Sequence, residues 1–366
     1  MHLHKLSVLN FKNIQEAELT FSPHINCFFG KNGEGKTNLL DVVYYLSFCK
    51  SHSNSIDAQV LLHDMDYFML RGAYQVHDRS MEIQCSMKKR QRKIFKKDKK
   101  EYVRLSEHIG QIPLVLISPS DEGLIREGSE ERRKFMDMVL SQYDHEYMET
   151  LIAYNKALQQ RNALIKQESD PDRSMWELYE SLMYRYGKTI FEKRKAFVDA
   201  FTPVFQKFYQ RISGGNENIS LVYNSHLEDE HYDLSLEQNR NKDRLIGFTT
   251  LGIHKDDLDM KLDGFPIKRV GSQGQNKSYL IALKLAQYIF LSEAGPYKPI
   301  LLLDDLFDKL DAQRVSNIIQ LISGGTFGQI FITDTNRENP EQLLHQSGKE
   351  YKIFMVEKGQ IKSVEA

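Results

Sequence analysis

The stretch Gly30-Lys31-Asn32-Gly33-Glu34-Gly35-Lys36-Thr37 constrains this chain more than any other part of it. It fits G-x-x-x-x-G-K-[ST], the loop with which nucleotide triphosphatases cradle phosphate. Its flanks fit too. Ile25 to Phe29 reads as a short buried strand, and Thr37 to Phe48 as a helix with Leu39, Leu40, Val43 and Leu46 at helical spacing. Glycine lets successive backbone N–H groups turn onto phosphate oxygens, and the helix N-terminus adds partial positive charge. In this reading Lys36 reaches the β- and γ-phosphates and the Thr37 hydroxyl ligates Mg2+.

A chain of 366 residues is too long for one ordinary core and implies two lobes. No apolar run approaches the ~18 residues that span a bilayer, so no membrane partner is expected. Met1 to Lys5 leads into a strand-like alternation without a signal-peptide core. Cys27, Cys49 and Cys85 are odd in number and lack metal-ligand spacing, so the expectation is a cytoplasmic protein with reduced thiols. With a net charge of −1, any nucleic-acid surface must be a local patch.

Texture changes along the chain. The first ~105 residues alternate as strands do, at Leu6 and Val8, at Ala17, Leu19 and Phe21, and at Met81, Ile83, Cys85 and Met87. Helical spacing follows at Tyr154, Ala157, Leu158, Arg161, Leu164 and Ile165. It resumes at Trp176, Leu178, Leu182, Tyr186, Ile190 and Phe191, after the breaker Ser169-Asp170-Pro171-Asp172. Gly214-Gly215-Asn216 ends that block, Ile219 to Tyr223 reads as a strand, and Glu228-Asp229-Glu230 as part of a surface loop or linker. Strand and helix signals then alternate to the end. The expected fold class is α/β: a P-loop core with a β-rich lobe, formed by residues 1–120 and 235–366, carrying a mainly α-helical inserted lobe over 121–234.

Pro299 to Asp305 is an apolar run ending in two carboxylates, as in a strand buried on both faces of a parallel sheet with its charges at the ligand-binding end. Asp304 is placed to hold Mg2+ directly or through water, and Asp305 to orient or deprotonate the attacking water. Ser272-Gln273-Gly274-Gln275 precedes an apolar helix, Asn276 to Phe290. Alone it is compatible with a simple N-cap.

In this order the motifs resemble those of ABC-type ATPases, whose S-G-G-Q-like signature closes in trans over the γ-phosphate held by another subunit. The resemblance implies a dimer sandwiching two ATPs. It narrows to the RecF family, one of the SMC/Rad50-like ATPase heads, on Leu9-Asn10-Phe11-Lys12-Asn13, Thr37-Asn38-Leu39-Leu40-Asp41, Lys50-Ser51-His52, Ser118-Pro119 and Arg132-Arg133-Lys134-Phe135-Met136-Asp137. Gln160-Arg161-Asn162, Gly252-Ile253-His254-Lys255-Asp256-Asp257, Leu303-Asp304-Asp305 and Leu310-Asp311 complete it. The departures are Ile253 and Lys255 where the family has Pro and Arg, and Asp308-Lys309-Leu310-Asp311 where it has S-E-L-D. Thr333-Asp334-Thr335 stands where ABC transporters carry a switch histidine. The resemblance implies nucleotide contacts from Lys12, Asn13 and Asn38 and an ATP-dependent homodimer that binds duplex DNA, gaps and single-strand/double-strand junctions. It further implies RecR and RecO as partners in loading a recombinase, and slow ATP hydrolysis as a switch.

Lys88, Lys89, Arg90, Arg92 and Lys93, followed by Lys96, Lys97, Lys99 and Lys100, form the strongest basic run. Such a hairpin suits sequence-independent phosphate contact, although a charge run is commonly just a solvated surface. Lys50, His52, Arg132, Arg133 and Lys134 are weaker candidates. His254 beside Asp256 and Asp257 is expected in a structural polar cluster or an interface, because no further ligand spacing supports a metal. Three other readings stay open: an SMC- or Rad50-like clamp, against which the lack of sustained heptads counts, a small-molecule P-loop kinase, and an ATP-binding scaffold that does not touch DNA.

Overall fold

Strands buried on both faces need cover on both, and four such segments line up here. Every residue of Leu114–Ile117, Ile25–Phe29, Ile300–Asp304 and Ile330–Asp334 is buried. The computed structural model describes residues 1–364 except Ser55, Glu168, Asp170, Asn216, Glu230, Asp308, Lys309 and Arg337, and without the side chains of Glu338 and Asn339. It divides into two units, the first comprising residues 1–121, 211–214 and 273–366.

The first unit holds two six-stranded sheets. One runs Gln360–Val364, Tyr351–Glu357, Ile25–Phe29, Ile330–Asp334, Ile300–Asp304, Leu114–Ile117, with every neighbour parallel except the outermost hairpin. The phosphate-loop strand thus lies centrally, with the strand of Asp304 and Asp305 next but one to it. Phe21, Phe28, Phe331 and Phe354 cluster on this sheet. Phe21 stands edge-on to Phe331 at 4.9 Å, and Phe28 stacks on Phe354 at 5.0 Å. Such pairs add ~0.5–1.5 kcal/mol each beyond their burial.

The other sheet is antiparallel, ordered Ile14–Thr20, His2–Phe11, Tyr67–Val76, Arg79–Lys88, Ile94–Lys97, Lys100–Glu101. Leu6, Val8, Met81, Ile83, Cys85 and Met87 face inward, as the alternation predicts, and Leu3 joins them across a register shift between Leu3 and Lys5. Gln329 stitches the two sheets. Its buried amide accepts from Leu3 N–H at 2.7 Å and donates to the carbonyls of Leu3 and Ser22 at 2.8 and 2.9 Å. The pairing of Lys284 with Asp121 at 2.8 Å, both buried, anchors the long helix Gln273–Ala294.

The second unit comprises residues 122–210 and 215–272. Its helices Ser129–Tyr143, His145–Ile165 and most of Arg173–Ser213 accompany a three-stranded antiparallel sheet of Ile219–Asn224, Asp257–Leu262 and Phe265–Pro266. Two buried arginines organise it. Arg161 donates to Glu180, Asp243, Thr249 and the Leu236 carbonyl, with Trp176 beneath its guanidinium at 5.3 Å. Arg194 donates to Asp137, Asp256, the Tyr147 hydroxyl and the Ile253 carbonyl.

One expectation changes. The inserted unit runs to Ser272 rather than to residue 234, because strand Asp257–Leu262 pairs along its whole length with Ile219–Asn224 and Arg194 binds Asp256. The segment read as part of a surface loop or linker is exposed at Glu228 and Asp229 and leads into two short helices, Tyr232–Gln238 and Arg240–Ile246, whose Leu236 carbonyl and Asp243 carboxylate Arg161 requires. Asp170, Asn216 and Glu230, parts of three expected breaks, lie outside the described residues. His254 sits in a polar cluster, Nδ1 with the Tyr154 hydroxyl at 2.9 Å and Nε2 with the Thr249 carbonyl at 3.0 Å. Burial pushes its pKa down to about 4.

Arg194→Met is expected to leave Asp256 and Asp137 without their buried cation and to destabilise the second unit by ~3–5 kcal/mol. Urea unfolding followed by tryptophan fluorescence measures this, since the single Trp, Trp176, belongs to that unit.

Candidate functional site

The loop from Gly30 to Thr37 is held by its neighbours before any ligand arrives. A Cβ at Gly30 would collide with the Val356 carbonyl oxygen. Gly33 and Gly35 have φ of +83° and +114°, and a Cβ at Gly35 would lie 2.8 Å from the Asn13 amide. Only glycine meets both demands at Gly35. The Glu34 carbonyl accepts from Asn13 Nδ2 at 3.1 Å and from Gly359 N–H at 2.8 Å, while the Glu34 carboxylate takes the Lys358 N–H. Asn38 donates to Asn13 Oδ1 at 2.7 Å, which fixes the Asn13 amide. Lys31, Asn32 and Gly33 form the exposed crest. Lys36 is buried across the base, Nζ donating to the Gly30 and Lys31 carbonyls at 2.8 and 3.1 Å.

The two halves of the predicted site meet. Thr37 Oγ1 donates to the Asp304 carboxylate at 2.9 and 3.0 Å from its two oxygens. Thr333, on the strand between them, donates to Asp304 Oδ1 at 2.6 Å and accepts from the Asp305 N–H at 3.2 Å. Asp305 has φ of +45°, a left-handed backbone that turns it out of the strand direction. Burial raises the Asp304 carboxyl above its usual range, opposed by hydrogen bonds from Thr333 and Thr37. Burial likewise raises Asp334.

Other predicted residues fall in different places. Lys12 Nζ pairs with Asp41 at 2.6 Å and with the Ser53 hydroxyl at 2.6 Å. Asp41 also accepts from Ser51 Oγ and His52 N–H, so Lys12 braces the loop after the phosphate-loop helix. Ser272 and Gln273 are exposed at the start of helix Gln273–Ala294, with Gly274 and Gln275 half-buried behind them. Arg314 ties this helix start through the Gly274 carbonyl at 2.9 Å and Ser278 Oγ at 2.7 Å, and Lys277 Nζ reaches the Asp305 carbonyl at 3.4 Å. Asp308 and Lys309 lie outside the described residues.

The basic run forms the expected hairpin, with Lys88, Lys89, Arg90 and Arg92 exposed at its turn. Lys93 turns inward instead, to Asp57 at 2.7 Å, the Cys49 carbonyl at 2.7 Å and the face of Tyr45. In the second unit Arg132 pairs with Asp257 at 2.7 Å and Arg133 donates to the Asp256 carbonyl at 2.6 Å, so both serve packing there. Gln329 and the Lys358-Gly359 turn escaped the sequence reading, and Thr333 enters it only as part of the segment that stands where ABC transporters carry a switch histidine. The local signal of Thr333 is a hydroxyl amino acid that follows three apolar residues in the strand Ile330–Asp334.

A family model described as the RecF/RecN/SMC N-terminal domain matches residues 2–362. The chain is 53% identical over 367 residues to the DNA replication and repair protein RecF of Bacteroides thetaiotaomicron, covering 100% of both. The chain belongs to the RecF family. A solved structure described as the recombination mediator protein RecF with ATP in the RecFOR pathway is similar at a TM-score of 0.88 and 28% identity, covering 99% of each chain. The Smc head domain with an extended coiled coil from Pyrococcus furiosus shares the fold at a TM-score of 0.58 and 17% identity, covering 99% of this chain and 96% of that one. The fold class is thus the α/β head that RecF family members share with SMC proteins.

Two outcomes follow from this geometry. Because the native Asp304 carboxyl keeps its proton to higher pH than the unfolded chain does, stability falls as pH rises from the ordinary carboxylate range through the raised one. Asp304→Asn should therefore raise the melting temperature of the nucleotide-free protein at pH 7 and flatten its decline with pH in differential scanning calorimetry. Gly359→Ala would press a Cβ onto the Asn13 carbonyl at φ of +78°. It should weaken nucleotide binding by roughly tenfold or more through a loosened loop, as measured by titration with a fluorescent nucleotide.

Proposed function

We propose that this chain is an ATP-dependent DNA-binding protein of recombinational repair. It dimerises on ATP, holds duplex or gapped DNA and single-strand/double-strand junctions, helps load a recombinase with RecR and RecO, and hydrolyses ATP slowly as a switch. The observation that carries this reading is the Thr37 hydroxyl on the Asp304 carboxylate, the hallmark of a built Mg2+–triphosphate site. The residues fit that ligand. The donors are oxygens, the choice of a hard cation, and the loop leaves no room for a Cβ at Gly30 or Gly35. Family membership and the likeness to a RecF solved with ATP support it further.

Mg2+ bound at Thr37 and Asp304 would neutralise phosphate charge and polarise the bond that breaks. The chain's own part is positional. Lys36 exchanges loop carbonyls for phosphate oxygens, and the N–H groups of the loop from Lys31 to Thr37 cradle the phosphates. Asn13 and Asn38 hold that cradle in shape, and Lys12 supports it through Asp41. Asp305 orients or deprotonates the attacking water. In the dimer, Ser272 and the helix start at Gln273, Gly274 and Gln275 meet the γ-phosphate of the opposite subunit, for which the exposure of Ser272 and Gln273 suits them. Lys88, Lys89, Arg90 and Arg92 supply salt-sensitive phosphate contacts to DNA. The cytoplasmic assignment rests on the cysteines: Cys27 and Cys49 are buried, free and pushed up to about 12, as suits reduced structural thiols. No helix among the described residues is long and apolar enough to cross a membrane.

Sedimentation with gapped DNA, without nucleotide and with ATP or ADP, tests the proposal. Wild type should dimerise and bind DNA only with ATP, and Ser272→Arg should bind ATP yet stay monomeric. Asp305→Asn should keep ATP-driven dimers while turnover falls by about a hundredfold or more. Monomers in every condition would favour the kinase or scaffold readings, and unchanged turnover in Asp305→Asn would remove the water-activating assignment.

A further inference from the structure

The strand Ile330–Asp334 contributes apolar residues up to Ile332 and then Thr333, which is fully buried. Packing alone would accept valine there, a β-branched isostere with no hydroxyl to desolvate. The hydroxyl is retained and both of its bonds go to the candidate site. The Asp305 N–H can only donate, so Thr333 Oγ1 accepts from it, and with Asp304 ionised the Thr333 hydroxyl donates to Asp304 Oδ1. Thr37 donates to the same carboxylate from the other side. The chain of donors runs Asp305 N–H to Thr333 O–H to Asp304, one hydroxyl setting two adjacent carboxylate residues that lead in different directions.

Asp305 needs that hold. Its left-handed backbone is strained for a non-glycine residue and persists only where the surroundings impose it. The N–H is held by Thr333 and the carbonyl by Lys277 Nζ, so both backbone polar groups of Asp305 are tied. The parallel register places Thr333 directly beside Asp304 on one side and Phe28, two residues before the loop, on the other. Thr333 therefore refers both carboxylates to the strand that carries the phosphate loop.

We propose that Thr333 is a positioning residue of the hydrolytic site, whose hydroxyl aims Asp304 at the metal and sets the backbone of Asp305 for the attacking water. This rests on the ATPase reading above. A role confined to packing would tolerate valine. A positioning role would not, and would be met by serine.

The test compares wild type, Thr333→Val, Thr333→Ser and Thr333→Ala in three measurements: melting temperature, affinity for a fluorescent ATP analogue with Mg2+ or with EDTA, and steady-state ATP turnover with gapped DNA. Thr333→Val should bind nucleotide in EDTA within about threefold of wild type, lose most of the gain in affinity from Mg2+, and turn over ATP roughly ten- to a hundredfold more slowly. Thr333→Ser should recover both properties to within about threefold. Should Thr333→Val fail to fold, Thr333→Ala carries the same expectation against Thr333→Ser. Wild-type turnover and Mg2+ response in Thr333→Val, or equal impairment in Thr333→Ser, would overturn the proposal. Absence of turnover in wild type would instead overturn the ATPase reading, and the Mg2+ response would still report whether Thr333 aims Asp304.

Discussion

The hydrogen bond from Thr37 to Asp304 joins residues 267 positions apart, and much of the first unit is arranged so that it can form. Thr37 lies in the first turn of the helix Lys36–Phe48, after the central strand Ile25–Phe29, while Asp304 ends a strand two places away. Adjacent strands are ~4.8 Å apart, so the carboxylate reaches the hydroxyl only if all three strands are parallel and end level. They do: Phe28, Thr333 and Asp304 stand side by side across the sheet. A slip of one residue in either ladder would send Asp304 to the opposite face. The apolar residues before it, buried on both sides, are what oppose such a slip.

The second unit is held by a different principle. Arg161 and Arg194 are fully buried, and each draws partners from distant segments: Glu180 and Asp243 for one, Asp137 and Asp256 for the other. A buried ion pair adds little net stability over a well-packed apolar cluster, but an unsatisfied arginine there is costly. The arginines therefore discriminate among ways of packing similar amphipathic helices, since only one arrangement brings all their acceptors together. That explains why Gln160-Arg161-Asn162 and the Gly252 to Asp257 segment stand out as motifs although neither forms part of the nucleotide site.

What could be read from the chain alone follows from which signals are local. The phosphate loop and the apolar run ending at Asp304 and Asp305 carry their chemistry in consecutive residues, and the structure brings them together as expected. The basic hairpin was legible as a hairpin, but the inward turn of Lys93 was not, because its partner Asp57 lies on a separate segment. The reach of the inserted unit to Ser272 was hidden for a similar reason: strand Asp257–Leu262 looks the same whichever sheet it joins, and only its pairing with Ile219–Asn224 decides. Gln329 and Thr333 are polar residues at the two ends of an apolar stretch, Ile330 to Ile332. Their importance is set by what lies across the sheet, which no periodicity records.

The grip of the Lys358-Gly359 turn on Glu34 spans 324 residues. During synthesis the phosphate loop leaves the ribosome early, yet the backbone that braces Gly30 and Glu34 is made hundreds of residues later. A nascent chain therefore carries the nucleotide-binding sequence for most of its translation without the brace that shapes it. Until Val356, Lys358 and Gly359 are made, Gly30 and Glu34 lack the backbone against which they rest.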